Sequence, residues 1–167
     1  MPKLKHYNRG FTLIELLIVI VIISILITLL AVSYTTIQRN SRDTQRKGDL
    51  AAVAGVLERF YSDNSAYPSD SSGQIAYESG CSVGTSVVAT WGSGNIECNP
   101  GSGSVNYLRQ LPEDPIGTAE YCYVSLSSNQ KYEIYARLEG TNGRNYSGPT
   151  PPGCTGTNYN YRITSND

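Results

Sequence analysis

Residues 11–32, FTLIELLIVIVIISILITLLAV, contain no Lys, Arg, Asp, Pro or Gly, and a lone carboxylate, Glu15, lies inside them. About 20 apolar residues rising about 1.5 Å each cross a hydrocarbon core, so this run reads as a membrane-spanning helix. An acidic side chain in the middle of such a helix costs about 2.5–3.5 kcal/mol, less towards its ends, and therefore has a partner or a task. A chain of 167 residues with one such helix has room for one modest extracytoplasmic domain besides.

The order of the first segments is the reverse of a secretory signal peptide, because the small residue, Gly10, precedes the apolar stretch instead of following it. A cut after Gly10 removes MPKLKHYNRG, whose Lys3, Lys5 and Arg9 the positive-inside bias holds in the cytoplasm, and leaves a new amine on Phe11. The string GFTLIELLIVI resembles the class III signal of type IV pilins and pseudopilins. This resemblance implies that a prepilin peptidase cuts after Gly10 and methylates the new N-terminus at Phe11, and that Glu15 serves filament assembly. In a bundle of such helices each Glu15 faces the Phe11 amine of a neighbour and loses its desolvation penalty, so Glu15 reads as a register pin. A plain single-pass anchor has no use for it.

The resemblance also implies the pilin fold, an α+β architecture in which a long N-terminal helix packs on a small antiparallel β-sheet head with two disulfides. The expected divisions are a leader over residues 1–10, a long helix over 11–63 whose part 11–32 spans the membrane and later forms the filament core, and an extracytoplasmic head over 64–167. Beyond Val32 the pattern turns amphipathic. Leu50, Val53, Ala54, Leu57, Phe60 and Tyr61 recur at helical steps, while Arg42, Asp43, Arg46, Lys47, Asp49, Glu58 and Arg59 supply charge. No proline interrupts residues 11–67, and NSAYP ends the helix. Gly48 and Gly55, each costing about 1 kcal/mol against Ala, mark bends or close packing. Many Gram-negative pilins carry a proline where this chain has Val32; here a continuous helix is expected, although the weak helix formers Ser33, Tyr34, Thr35 and Thr36 follow.

Residues 69–104 are rich in Gly and Ser and read as an irregular loop with a short β-prone run at 86–91. LPEDP at 111–115 is a turn. Strands are predicted over 120–126, with Tyr121, Tyr123 and Ser125 on one face, over 131–138, with Tyr132, Ile134, Ala136 and Leu138 on one face, and over 158–164; residues 127–130 form the hairpin loop. The block LPEDPIG, YCYV and YEIYARLE resembles the C-terminal region of pilin-like subunits, including the major pseudopilins of type II secretion, in which a calcium ion organises the following loop. Asp114 or Glu120 could supply oxygens, but calcium needs about six to eight and no D-x-D-x-D cluster assembles them, so neither a metal nor another cofactor is expected.

Cys81, Cys98, Cys122 and Cys154 all follow the apolar run, and an even count on the exported side implies two disulfides. Their wide spacing lacks a C-x-x-C and argues against zinc. Among the connectivities open to them, Cys81–Cys98, closing a Gly/Ser-rich excursion, and Cys122–Cys154, tying a strand to the tail, are favoured, each contributing about 3–4 kcal/mol in the chain-entropy model.

Catalysis finds no support. The sole histidine, His6, lies in the leader, no G-x-S-x-G, P-loop or H-E-x-x-H occurs, and Glu113 and Asp114 are neighbours in a turn. Losing three leader charges takes the basic residues from 13 to 10 against 14 acidic ones, too acidic for a general nucleic-acid surface. The 13 tyrosines suit a thin domain that packs on a helix or on neighbouring subunits; a sharper alternative makes Tyr146, Tyr159 and Tyr161, with Trp91, an adhesive surface.

The expected function is that of a type IV pilus subunit, held in the cytoplasmic membrane by lipid, then polymerised with copies of itself and minor pilins into an extracellular filament for motility, adhesion or DNA uptake. An inner-membrane platform protein and an assembly ATPase drive this. The alternative is a pseudopilin of a type II secretion or competence system, forming a short periplasmic pseudopilus. A membrane-anchored binding protein that never polymerises is disfavoured by Glu15.

Overall fold

The computed structural model describes residues 10–80, 84–99, 103–117, 121–156 and 158–165, the side chains of 29–33 excepted. In order these form α1 (Leu13–Asn64), β1 (Ser69–Ser71), β2 (Gln74–Tyr77), β3 (Val87–Ala89), β4 (Ile96–Cys98), β5 (Val105–Leu108), β6 (Cys122–Leu126), β7 (Lys131–Ala136) and β8 (Tyr161–Thr164). Contacts divide the chain into two compact units, Met1–Arg39 and Asn40–Asp167, so the last part of α1 belongs with the strands.

In the first unit the described large apolar side chains are exposed on every side of α1. A helix apolar all round is stable only in lipid or against other helices. Its polar residues are neutralised locally: Ser24 donates to the Ile20 carbonyl at 2.6 Å and Thr28 to that of Ser24 at 2.8 Å. Among the described residues no helical stretch is long and apolar enough to cross a membrane, residues 29–33 contributing no side chains to that set.

In the second unit α1 buries a stripe of Leu50, Val53, Leu57 and Phe60, all fully covered, with Ala54 and Tyr61 packed beside them, as the helical spacing predicts. The stripe continues through Arg46 and Asp43, two of the charged residues of this half, at 1% and 5% exposure. Gly48 and Gly55 are exposed, and a Cβ on either meets nothing, so within the subunit they mark no close packing. The helix ends where Ser65 turns left-handed (φ 60°) and its N–H donates to the Tyr61 carbonyl at 2.7 Å.

All strand pairs are antiparallel, in sheets ordered β1-β2-β3, β4-β5 and β6-β7-β8. Residues 69–104 are therefore not the irregular loop the composition implied. The strands there are only three or four residues long and carry Ser, Asp and Glu, so their apolar alternation is too short to read, yet Ile75, Ala76, Tyr77, Ala89 and Ile96 are all buried. The third sheet follows its prediction more closely: β6 pairs with β7 around the turn at 127–130, and β8 adds to β7 with Ile163 opposite Ile134. β7 ends at Ala136, two residues early, and β8 starts at Tyr161, because the Asn160 side chain bonds the Leu138 N–H and carbonyl in place of ladder bonds.

That sheet is covered on both faces. Tyr123, Tyr132, Ile134 and Ala136 join the core against α1, while Cys122, Val124 and Tyr135 form a second cluster with Tyr159, Tyr146 and Cys154 from the C-terminal segment. Gly73 links the first and third sheets, its carbonyl accepting from the Tyr123 N–H at 2.9 Å and the Trp91 indole at 3.0 Å. Its φ is 79°, and a Cβ there would stand 2.8 Å from the Cys122 sulfur, so only glycine fits.

Candidate functional site

α1 opens on Thr12-Leu13-Ile14-Glu15. The Glu15 carboxylate accepts from both the Thr12 N–H and hydroxyl at 2.8 Å, and the Glu15 N–H donates back to the Thr12 hydroxyl at 3.3 Å. This is a capping box, which satisfies otherwise orphaned N–H groups at a helix start. The T-x-x-E signal was legible, but the sequence reading assigned Glu15 only to a neighbour's amine. In the single subunit Glu15 already has a partner one turn away. Gly10 and Phe11 lie just outside the helix, and Phe11 is 88% exposed.

The head holds a buried ionic centre that the sequence reading missed. The Arg46 guanidinium donates to both oxygens of Asp114 (2.6 and 3.0 Å), to Asp43 (2.9 Å) and to Glu139 (2.9 Å). Arg42 makes a second, bidentate contact with Glu139 at 2.7 and 2.6 Å. Asp43 also accepts the backbone N–H groups of Glu139 and Gly140, at 2.9 and 2.7 Å, and Asp114 that of Ile116 at 3.0 Å. Burial works against the charge on Arg46, but its bonds to Asp114, Glu139 and Asp43 prevail and hold it above its ordinary range. The signal that could have found it is its place four residues before Leu50, on the apolar stripe.

Tyrosines complete the attachment of α1. Tyr121 donates to Asp49 at 2.8 Å, Tyr67 and Tyr132 to the two oxygens of Glu58 at 2.9 and 3.1 Å, and Tyr107 to Asp63 at 2.9 Å. This is the packing role. The adhesive surface does not form: Trp91 and Tyr159 are buried at 9% and 6% exposure, Trp91 packing edge-on against Tyr121, and Tyr146 lies edge-on against Tyr135. Tyr161 is half-buried under Lys47.

Among the described residues one disulfide is present, the expected Cys122–Cys154, with Cα atoms 5.8 Å apart. Cys98 is buried in β4; Cys81 lies outside the described residues.

Asp114, which the sequence offers as a possible oxygen donor although no metal is expected, is taken up otherwise. Both Asp114 oxygens face the Arg46 guanidinium, and no group of metal-binding side chains occurs among the described residues, which exclude Glu120.

A helix apolar on every side, opened by Glu15 and leading into a helix-backed antiparallel head, defines the class of pilin-like subunits. The model of the prokaryotic N-terminal methylation motif matches residues 5–31. The chain is 31% identical over 132 residues to type II secretion system core protein G of Pseudomonas aeruginosa, covering 79% of this chain and 84% of that protein. It is 30% identical to core protein G of Klebsiella pneumoniae, covering 77% and 83% respectively, and 37% identical to the type IV major pilin protein PilA of Myxococcus xanthus over 46% of this chain and 34% of that one. No solved structure matches. The chain belongs to the type IV pilin and pseudopilin family.

Proposed function

We propose that this chain is a pseudopilin, the repeating subunit of a short periplasmic filament in a type II secretion or competence system. The observation that carries this reading over a surface pilus is the reach of the similarity: the core protein G relatives align over 79% and 77% of this chain, whereas the Myxococcus pilin aligns over 46% of it. In this reading the prepilin peptidase cuts after Gly10 and methylates Phe11, the apolar half of α1 holds the subunit in the cytoplasmic membrane, and assembly transfers that half from lipid to a bundle of its copies. Glu15 then meets the Phe11 amine of a neighbour. Minor pilins, a platform protein and an assembly ATPase are the expected partners.

Deleting the gene tests this directly. Blocked protein export with surface fibres intact supports the pseudopilin; loss of long fibres with export intact overturns it in favour of a pilus for motility, adhesion or DNA uptake. Mass spectrometry of the mature subunit tests the processing separately, an N-terminus at methylated Phe11 being the expected result and an uncut chain the refuting one.

A further inference from the structure

We infer that Arg46 supplies from within the chain the cation that organises the turn after β5 and the segment after β7, so that the head reaches full stability without a divalent metal. Three stretches distant in sequence converge on it: α1 through Asp43, the LPEDP turn through Asp114, and the segment after β7 through Glu139. Turns of this kind need something positive between their acidic groups, since carboxylates brought together in a protein interior repel and are costly to desolvate.

The accounting of oxygens decides what that something is. Each carboxylate oxygen of Asp43, Asp114 and Glu139 already accepts from a donor: Arg46 takes both oxygens of Asp114 and one each of Asp43 and Glu139, Arg42 both of Glu139, and the Glu139 and Gly140 N–H groups close off Asp43. A calcium ion, which needs about six to eight oxygens, could take these only by expelling the guanidinium. That group is 1% exposed. A planar fork is also better suited than a spherical ion to this site, because its N–H groups point in fixed directions at carboxylates on opposite sides. The inference holds whichever filament the subunit builds.

Thermal melting of the full-length, detergent-solubilised subunit tests it, in millimolar calcium chloride and in excess EGTA. The same midpoint in both, with no heat on titrating calcium, is the expected result; a midpoint that rises with calcium overturns the inference. Arg46→Met keeps most of the stem and removes the charge. It should lower the midpoint in both buffers by about 10 °C or more, or prevent folding altogether, because buried carboxylates lose their partner. An Arg46→Met subunit that melts with the wild type overturns the inference from the other side.

Discussion

Replacing Glu139 by Gln removes one charge from the ionic centre while keeping its shape. Hydrogen bonds from Arg42, with those from Arg46 added, outweigh partial burial and hold the Glu139 carboxyl at about 2, against 4.5 for a free one. Because the folded value lies below the unfolded one, the charge stabilises the fold fully above pH 4.5, and the contribution is lost as pH falls towards 2. The difference sets a ceiling of about 3 kcal/mol. The side chain is 22% exposed, and screening by solvent reduces this to about 1–2 kcal/mol. At neutral pH Glu139→Gln should therefore melt about 3–8 °C below the wild type. On acidification the gap should narrow below pH 4.5 and close near 2. The difference between the two proteins is what must be read, since Asp49, raised by burial despite its bond from Tyr121, is relieved by acid and bends the wild-type curve the other way. Circular dichroism melts across this pH range suffice, and a gap that stays constant to pH 2 would refute the assignment.

Glu15→Val should leave the subunit processed and membrane-held but unable to assemble, seen as a normal mature mass with blocked protein export; normal export would contradict the pin. Joint Cys122→Ser and Cys154→Ser replacement should cost about 2–4 kcal/mol by denaturant titration, for a bridge spanning 32 residues. Non-reducing peptide mapping should also show Cys81 joined to Cys98, because the Asn99 N–H bonds the Ser79 carbonyl at 2.7 Å and holds the flanking residues close. Gly48→Ala and Gly55→Ala should each stabilise the subunit by about 0.5–1 kcal/mol, whereas Gly73→Ala should destabilise it. Burial, with the bond to Asp63, pushes Tyr107 up to about 12 from 10.0, so the unfolded chain ionises first and stability should fall above pH 10, less steeply in Tyr107→Phe by phenolate absorbance and melting.

Legibility tracked the length of each pattern. The apolar stripe of α1 and the strands holding Tyr123, Tyr132 and Ile134 were readable because each repeats a period several times within one element. β1 to β5 were not, since a strand of three or four residues such as Ser69–Ser71 shows no period and exists through partners far along the chain. The burial of Arg46 is hidden for a related reason: helical spacing puts it on the buried stripe, but the carboxylates that make its burial tolerable come from Asp114 and Glu139, distant in sequence. At the N-terminus the T-x-x-E box was local and fully legible.

The chain has 13 tyrosines and two phenylalanines. Exchange between these two is ordinarily among the mildest substitutions, one oxygen on an otherwise identical ring. At Tyr67, Tyr121 and Tyr132 that oxygen is a donor to Asp49 or Glu58 across the face of α1, so removing it takes a bond from a partly buried carboxylate although no volume is lost. The two sides of each bond are thus coupled: Phe at Tyr121 should cost least beside a neutral residue in place of Asp49, and Phe at Tyr67 or Tyr132 leaves Glu58 one hydroxyl in place of two. Tyr34, 62% exposed, carries no such obligation in the single subunit.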